Sequence, residues 1–202
     1  MNNIMTPSEM TKGQIDKAVA NYRAMLEKYA PDFQSTPVQA VLGSPELAKE
    51  QLKLLRTLVE AESALVTRTA SVDRALSSKE ALSATGRALY LNDEVVASWP
   101  PATGDSVTML FYSFSRYIEA GKLDEELAKV GLELVVDPTG LAAINQAYPE
   151  FADTHPNATQ WKNAAGKFCY ALFNRWDGER DVNVDQSDAD WRDYWWFSVR
   201  RK

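Results

Sequence analysis

With 202 residues, 45% of them apolar and 25% charged, the chain has an ordinary globular make-up, long enough for one domain with an appendage or two small ones; wholesale disorder is excluded. A net charge of -6 and an isoelectric point near 4.9 argue against the broad basic face with which proteins bind nucleic acid, so nucleic acid is not expected as a partner. The lone Cys169 rules out an intramolecular disulfide and with it a disulfide-built scaffold.

Residues 1–86 carry as many acids as bases, so the net negative charge falls entirely in residues 87–202. No apolar run reaches the length of a membrane span, and Met1–Pro7 has no basic stretch leading into an apolar one. A soluble, cytoplasmic protein without a membrane role is therefore expected.

Thr6-Pro7-Ser8-Glu9 has the form of a capping box with proline in the first turn, which predicts a helix start. Ile15, Ala18, Val19, Tyr22, Met25, Leu26 and Tyr29 then recur at three- and four-residue spacings as one apolar stripe ending before Pro31. Residues 31–43 read as a connection with a short apolar patch at Val38–Leu42. Ser44-Pro45-Glu46 repeats the start signal, and neither proline nor glycine follows before Leu76. Leu54, Leu58, Ala61, Leu65, Val72 and Ala75 occupy heptad a and d positions there, with Arg68 as a polar intrusion. Such a helix would be about 48 Å long and calls for a second helix along it, from the same chain as a hairpin or from a second copy in a homo-oligomer.

A polar junction at residues 77–86 marks the expected boundary between a helical hairpin at 1–82, used for assembly, and an α+β domain at 87–202. Arg87–Leu91 and Glu94–Trp99 read as strands joined at Asn92-Asp93, and Pro100-Pro101 ends the second. From Asp105 the positions Val107, Leu110, Phe111, Phe114, Tyr117 and Ile118 suggest a helix ending at Gly121. Asp124 is expected to cap a short helix that ends at Gly131, before a strand at Leu132–Val136. Asp137-Pro138-Thr139-Gly140 is a turn leading into a short helix, and residues 149–166 look irregular. Phe168–Trp176 and Glu179–Asp185 flank Asp177-Gly178, a dipeptide suited to the positive φ angles of a two-residue hairpin turn. Trp191–Arg201 is expected to close the sheet. The fold class is α+β: a helical hairpin, then a small, mostly antiparallel sheet with two or three short helices.

Five of the six tryptophans lie in the last 42 residues: Trp161, Trp176, Trp191, Trp195 and Trp196. Such a cluster either anchors a small core or is kept for a partner. Trp176 and one of Trp195 and Trp196 are expected to close the sheet, since neighbouring strand residues point to opposite sides. Trp191, among Asp188, Asp190, Arg192 and Asp193, is expected to be displayed. These residues, with Trp176, Trp195 and Trp196, are the candidate contacts to a protein or glycan partner.

Asp181, Asn183 and Asp185 alternate, which puts their oxygens on one strand face where Ca²⁺ could bind. Gln186 and Arg192 stand where a calcium loop needs glycine and glutamate, and a solvated edge-strand face with Val182 and Val184 turned inward accounts equally for the pattern; no other cofactor is indicated. His155 reads as a surface-loop residue and Cys169 as a small buried one. Asn157-Ala158-Thr159 matches a glycosylation sequon that has no secretory context.

Trp176-Asp177-Gly178-Glu179-Arg180-Asp181-Val182-Asn183-Val184, then Asp190-Trp191-Arg192-Asp193 and Trp196-Phe197-Ser198-Val199-Arg200, resembles the closing segment of C-type-lectin-like ligand-binding domains. Arg192 stands at the centre of the Trp-Asn-Asp signature, and the family's disulfides are absent. The resemblance implies a compact α+β module that displays ligand contacts on the loop between its last strands. A non-enzymatic binding protein is the expected function. A carboxylate-based glycan hydrolase using Asp188, Asp190 and Asp193 beside Trp191, or an acidic inhibitor of a nucleic-acid-binding protein, are the alternatives.

Overall fold

The structure, a computed structural model, describes residues 10–61, 65–119, 121–186 and 190–202. The chain divides into two compact units, Met1–Ser63 and Ala64–Lys202.

In the first unit, helix α1 (Lys12–Tyr29) is opened by a capping box in which Thr11 and Gln14 exchange bonds; Thr6-Pro7-Ser8-Glu9 lies outside the described residues. A 3-10 turn (Ala30–Asp32) and helix α2 (Ser35–Leu42) occupy the stretch read as a connection, and α3 (Pro45–Ala61) follows. Gln51 of α3 donates to the Tyr22 hydroxyl of α1. No residue of α1 or α2 is buried.

The long helix expected from Pro45 to Leu76 ends at Ala61, and β1 (Leu65–Ser71) is a strand in the second unit. The polar junction at 77–86 therefore falls inside that unit. The physical reason lies in Thr67, Arg68 and Thr69: the β-branched threonines favour extended backbone, and period two, not seven, sorts the side chains. Val66, Arg68 and Ala70 are buried while Thr67, Thr69 and Ser71 are exposed.

The second unit continues with α4 (Ser78–Ser83), β2 (Ala88–Leu91), α5 (Asp93–Ala97), β3 (Ser106–Ser113), α6 (Leu123–Lys129) and β4 (Leu132–Leu134). Next come α7 (Pro138–Ala147), α8 (Phe151–Thr154), β5 (Asn157–Lys162), β6 (Phe168–Trp176), β7 (Glu179–Gln186) and β8 (Trp196–Arg201). Glu94–Trp99 is thus mainly helix, because the Asn92 side chain accepts the amides of Glu94 and Val95 as an N-cap. Residues 106–113 are strand where a helix is expected, and β5 and α8 fill the stretch read as irregular. Helices α4 to α8 exceed the two or three expected.

Among the described residues the strands form one mixed sheet in the order β1-β3-β8-β5-β6-β7-β2, with β4 also paired to β8. It is mostly antiparallel, with parallel joints at β2-β7 and β5-β8. β8 sits inside the sheet rather than closing its edge. The architecture is α+β, as expected.

The register separates two faces. One carries Val66, Met109, Phe111, Trp161, Ala171, Phe173, Val182 and Val184, packed with Leu82, Val95, Leu141, Ile144 and Phe151 from the helices. The opposite face carries Phe197, Val199, Ala158 and Leu172, all buried, with Ile118, Leu123, Leu127 and Trp191 buried outside the main cluster. Burying a side chain of this size is worth about 1.5–3 kcal/mol. Asp137 caps α7 through the Gly140 amide and also receives a bidentate fork from Arg74, both bonds 2.7 Å, which ties α7 to the segment after β1.

Candidate binding cleft

The β6-β7 hairpin forms as the sequence implies: Asp177 and Gly178 have φ angles of 49° and 85° at the turn. Alternation then places Asn174, Trp176, Glu179, Asp181 and Asn183 on the face opposite the main core. β2 adds Tyr90 next to Asn183, and Ala88 next to Asp181. A small residue on one side and a short amide on the other leave a depression above Asp181.

The segment between β7 and β8 supplies Asp190, Arg192, Tyr194 and Trp195 to the same depression, completing a cleft of about 1000 Å³. Its rim is aromatic. Trp176 is 68% exposed and Tyr90 54%, and the Tyr90 hydroxyl donates to Glu179 at 3.1 Å. Its floor is acidic: Asp181 is only 5% exposed and accepts the Asn183 amide at 3.0 Å.

Burial pushes the Asp181 carboxyl above the ordinary aspartate range. Bonds from Asn183 and Asn174 and the positive charge of Arg87 oppose that rise, and neighbouring Glu179 adds to it. Arg87 does not pair with Asp181; it donates to the carbonyls of Asn174 and Pro149. Asn174 Oδ1 is buried with no hydrogen-bond partner.

The structure divides the candidate tryptophans differently from expectation. Trp191 is 4% exposed. It sits edge-on to Phe197, Trp195 and Tyr170, and its backbone bridges to Ile118 in both directions. Trp176, expected to close the sheet, stands outside the core at the hairpin tip, on the face opposite the main core and beyond the part of it that Leu172 buries. Trp195 and Trp196 do diverge. Trp196 packs against His155 on the main-core side at 4.7 Å, while Trp195 lines the cleft.

Asp190 and Arg192 line the cleft, Asp193 is exposed but not among its lining residues, and Asp188 lies outside the described residues. Asp181, Asn183 and Asp185 share a face with Val182 and Val184 turned to the core. Asp185, however, accepts the Asn92 amide at 2.9 Å and the Gln186 backbone amide, away from Asp181. Among the described residues no group of three His, Cys, Asp or Glu side chains is placed to hold a metal ion.

His155 is not on the surface: it is buried and stacked on Phe151. Cys169 is buried as expected, and Asn157 of the sequon is fully buried against Asn145. Tyr90, Asn174, Glu179 and Tyr194 are cleft residues that the sequence did not single out. The alternation of β6 and β7 points to Asn174 and Glu179, but only the long-range β2-β7 pairing brings in Tyr90.

No family model matches the chain, and neither a curated protein nor a solved structure matches it. Among the described residues no helix is long and apolar enough to cross a membrane.

Proposed function

We propose that the chain is a non-enzymatic binding protein whose second unit presents this Trp- and Asp-rich cleft to a protein partner, and whose helical first unit serves assembly of copies. The observation that carries the reading is Trp176: a whole indole stands outside the core on the rim of an acidic cleft, where a hot-spot residue of an interface would be. Display of Asp190, Arg192 and Tyr194 between the last two strands is in keeping with the resemblance to C-type-lectin-like domains.

The test is recovery of binding partners from the source cells on immobilised protein, quantified by mass spectrometry. A protein captured by wild type should be lost with Trp176→Ala at unchanged Tm. Equal capture by Trp176→Ala and by a Tyr90→Ala/Trp176→Ala double variant would overturn the reading.

One observation favours a glycan hydrolase as the second reading: Asp181, with its raised pKa, shares a ring-lined cleft with Asp190, Glu179 and Asp177. Release of reducing sugar from oligosaccharides, abolished by Asp181→Asn, would decide for hydrolysis.

A further inference from the structure

We infer that the cleft is a guanidinium subsite: it takes an arginine side chain of the protein partner, with Asp181 and Asn174 receiving its N–H groups and Tyr90 and Trp176 flanking its plane. This deepens the proposed function and rests on it for the partner being a protein.

The first ground is unpaired charge. Asp177, Glu179 and Asp181 line the cleft, and none of them has an ion pair among the described residues. The nearby guanidiniums are used elsewhere: Arg180 and Arg175 both reach Asp153, and Arg87 is spent on backbone carbonyls. Four carboxylates against two guanidiniums, Arg175 and Arg192, leave the lining negative. A nearly buried carboxylate that makes no ion pair is costly to keep, and binding a cation relieves that cost.

The second ground is an acceptor without a donor. Asn174 Oδ1, beside Asp181 in the register of β6 and β7, is buried and unpaired. Buried polar atoms in this state are rare enough to require an explanation. It adds a second acceptor beside the carboxylate, which itself receives the Asn183 amide.

The third ground is the rings. Elsewhere in the molecule cations lie over the rings of Tyr29, Phe114, Tyr148, Phe151, Phe168 and Phe173. Among the described residues no cation lies over Tyr90, Trp176, Tyr194 or Trp195, the four rings of the cleft.

Geometry selects guanidinium over ammonium. Guanidinium is planar, stacks on aromatic faces, gives up hydration readily and presents its donors as a fork. A volume of about 1000 Å³ leaves room for the flanking backbone of an extended segment.

The test is titration of the whole protein, followed by the indole and amide signals in NMR, with N-acetyl-arginine methylamide. Its lysine counterpart, its neutral citrulline counterpart and maltotriose serve as comparisons. The arginine compound should shift the Trp176 indole and the Asn174 and Asn183 side-chain amides, with citrulline binding at least about tenfold more weakly. Asp181→Asn, an isosteric change whose folding the same spectra report, should weaken the arginine compound by a similar factor.

Equal binding of citrulline, insensitivity to Asp181→Asn, or shifts from maltotriose while the arginine compound is silent would overturn the subsite. If Trp176→Ala abolishes partner capture but the arginine compound does not bind, the subsite falls and the binding function stands. The converse result leaves a cation site and removes the macromolecular partner.

Discussion

Trp191 Nε1 donates to Gln160 Oε1 at 3.0 Å, and both side chains are buried. The bond accounts for the single polar atom of an indole packed edge-on to three rings, and it joins the β7-β8 connection to β5 in the middle of the sheet. Trp191 is thus the keystone beneath the cleft, not one of its contacts. Trp191→Ala should lower the stability of the second unit by about 3–5 kcal/mol, in the range for buried aromatic truncations. Trp191→Phe should cost less, about 1–3 kcal/mol, chiefly because Gln160 loses its donor. Denaturant unfolding monitored by near-UV circular dichroism checks both; a neutral Trp191→Ala would contradict the packing.

The residues around Trp191 show what the sequence conveys. The Asp177-Gly178 hairpin was legible because its information is local: two turn residues and two alternating strands. β3 was not, since Leu110 and Tyr112, half-buried on the face opposite Met109 and Phe111, are apolar or aromatic too, and the sequence loses the period-two contrast that the burial itself keeps. β1 was hidden because Leu58, Leu65 and Val72 carry the seven-residue spacing of a helical seam straight through it, although in the strand the buried positions are Val66, Arg68 and Ala70. Half of the cleft was visible as a Trp- and Asp-rich segment, but the parallel pairing of β2 with β7 brings Tyr90 in from a distant stretch. Flanking acids made Trp191 look displayed, whereas its two backbone bonds to Ile118 turn it inward.

Trp176 is the counterpart to Trp191. With its ring in solvent, Trp176→Ala should change stability by no more than about 0.5 kcal/mol, while the affinity for a captured partner should fall by about 2 kcal/mol or more. Thermal unfolding and titration calorimetry on the same variant separate the two effects. A Tm loss as large as that of Trp191→Ala would mean that the indole packs in solution.

Asp181 should make stability depend on pH. Its carboxyl is raised above the ordinary range, first by burial, against the opposing effects of Asn183, Arg87 and Asn174 and with the help of Glu179. The native state therefore holds the proton more tightly than the unfolded chain does. The contribution is fully present below the unfolded pKa of about 3.9 and is lost as pH rises through the raised native value. Asp181→Asn removes this loss, so the variant should be more stable than wild type at pH 7, with the difference closing toward pH 3. A lower Tm for Asp181→Asn at neutral pH would contradict the assignment.

The Arg74-Asp137 fork ties the start of α7 to the segment after β1. Arg74 is held more firmly protonated by Asp137, and the pair is largely shielded from solvent. Asp137→Ala removes both the fork and the cap of α7 and leaves Arg74 poorly solvated, a change that costs about 3 kcal/mol or more. Gly140→Ala should destabilise by a different route, because its methyl group would collide with the Asp137 carboxylate and stand 2.9 Å from Met109 Cε. Chemical denaturation of each variant and of the pair is the check: the two costs should fail to add, since both act on Asp137.

Assembly is tested on the first unit. Ile15, Val19, Tyr22, Leu26 and Tyr29 follow one another at spacings of four, three, four and three along α1, each between 40% and 62% exposed. A stripe of this period has the spacing that a left-handed coiled-coil seam requires, which is the ground on which assembly through α1 is proposed. The full chain should sediment as an oligomer in the micromolar range. Introducing charge at the seam, with Val19→Glu and Leu26→Glu together, should convert it to monomer while the near-UV signal of the second unit stays unchanged. A wild-type chain that is monomeric throughout that range would remove assembly from the proposed function and leave the cleft as its sole basis.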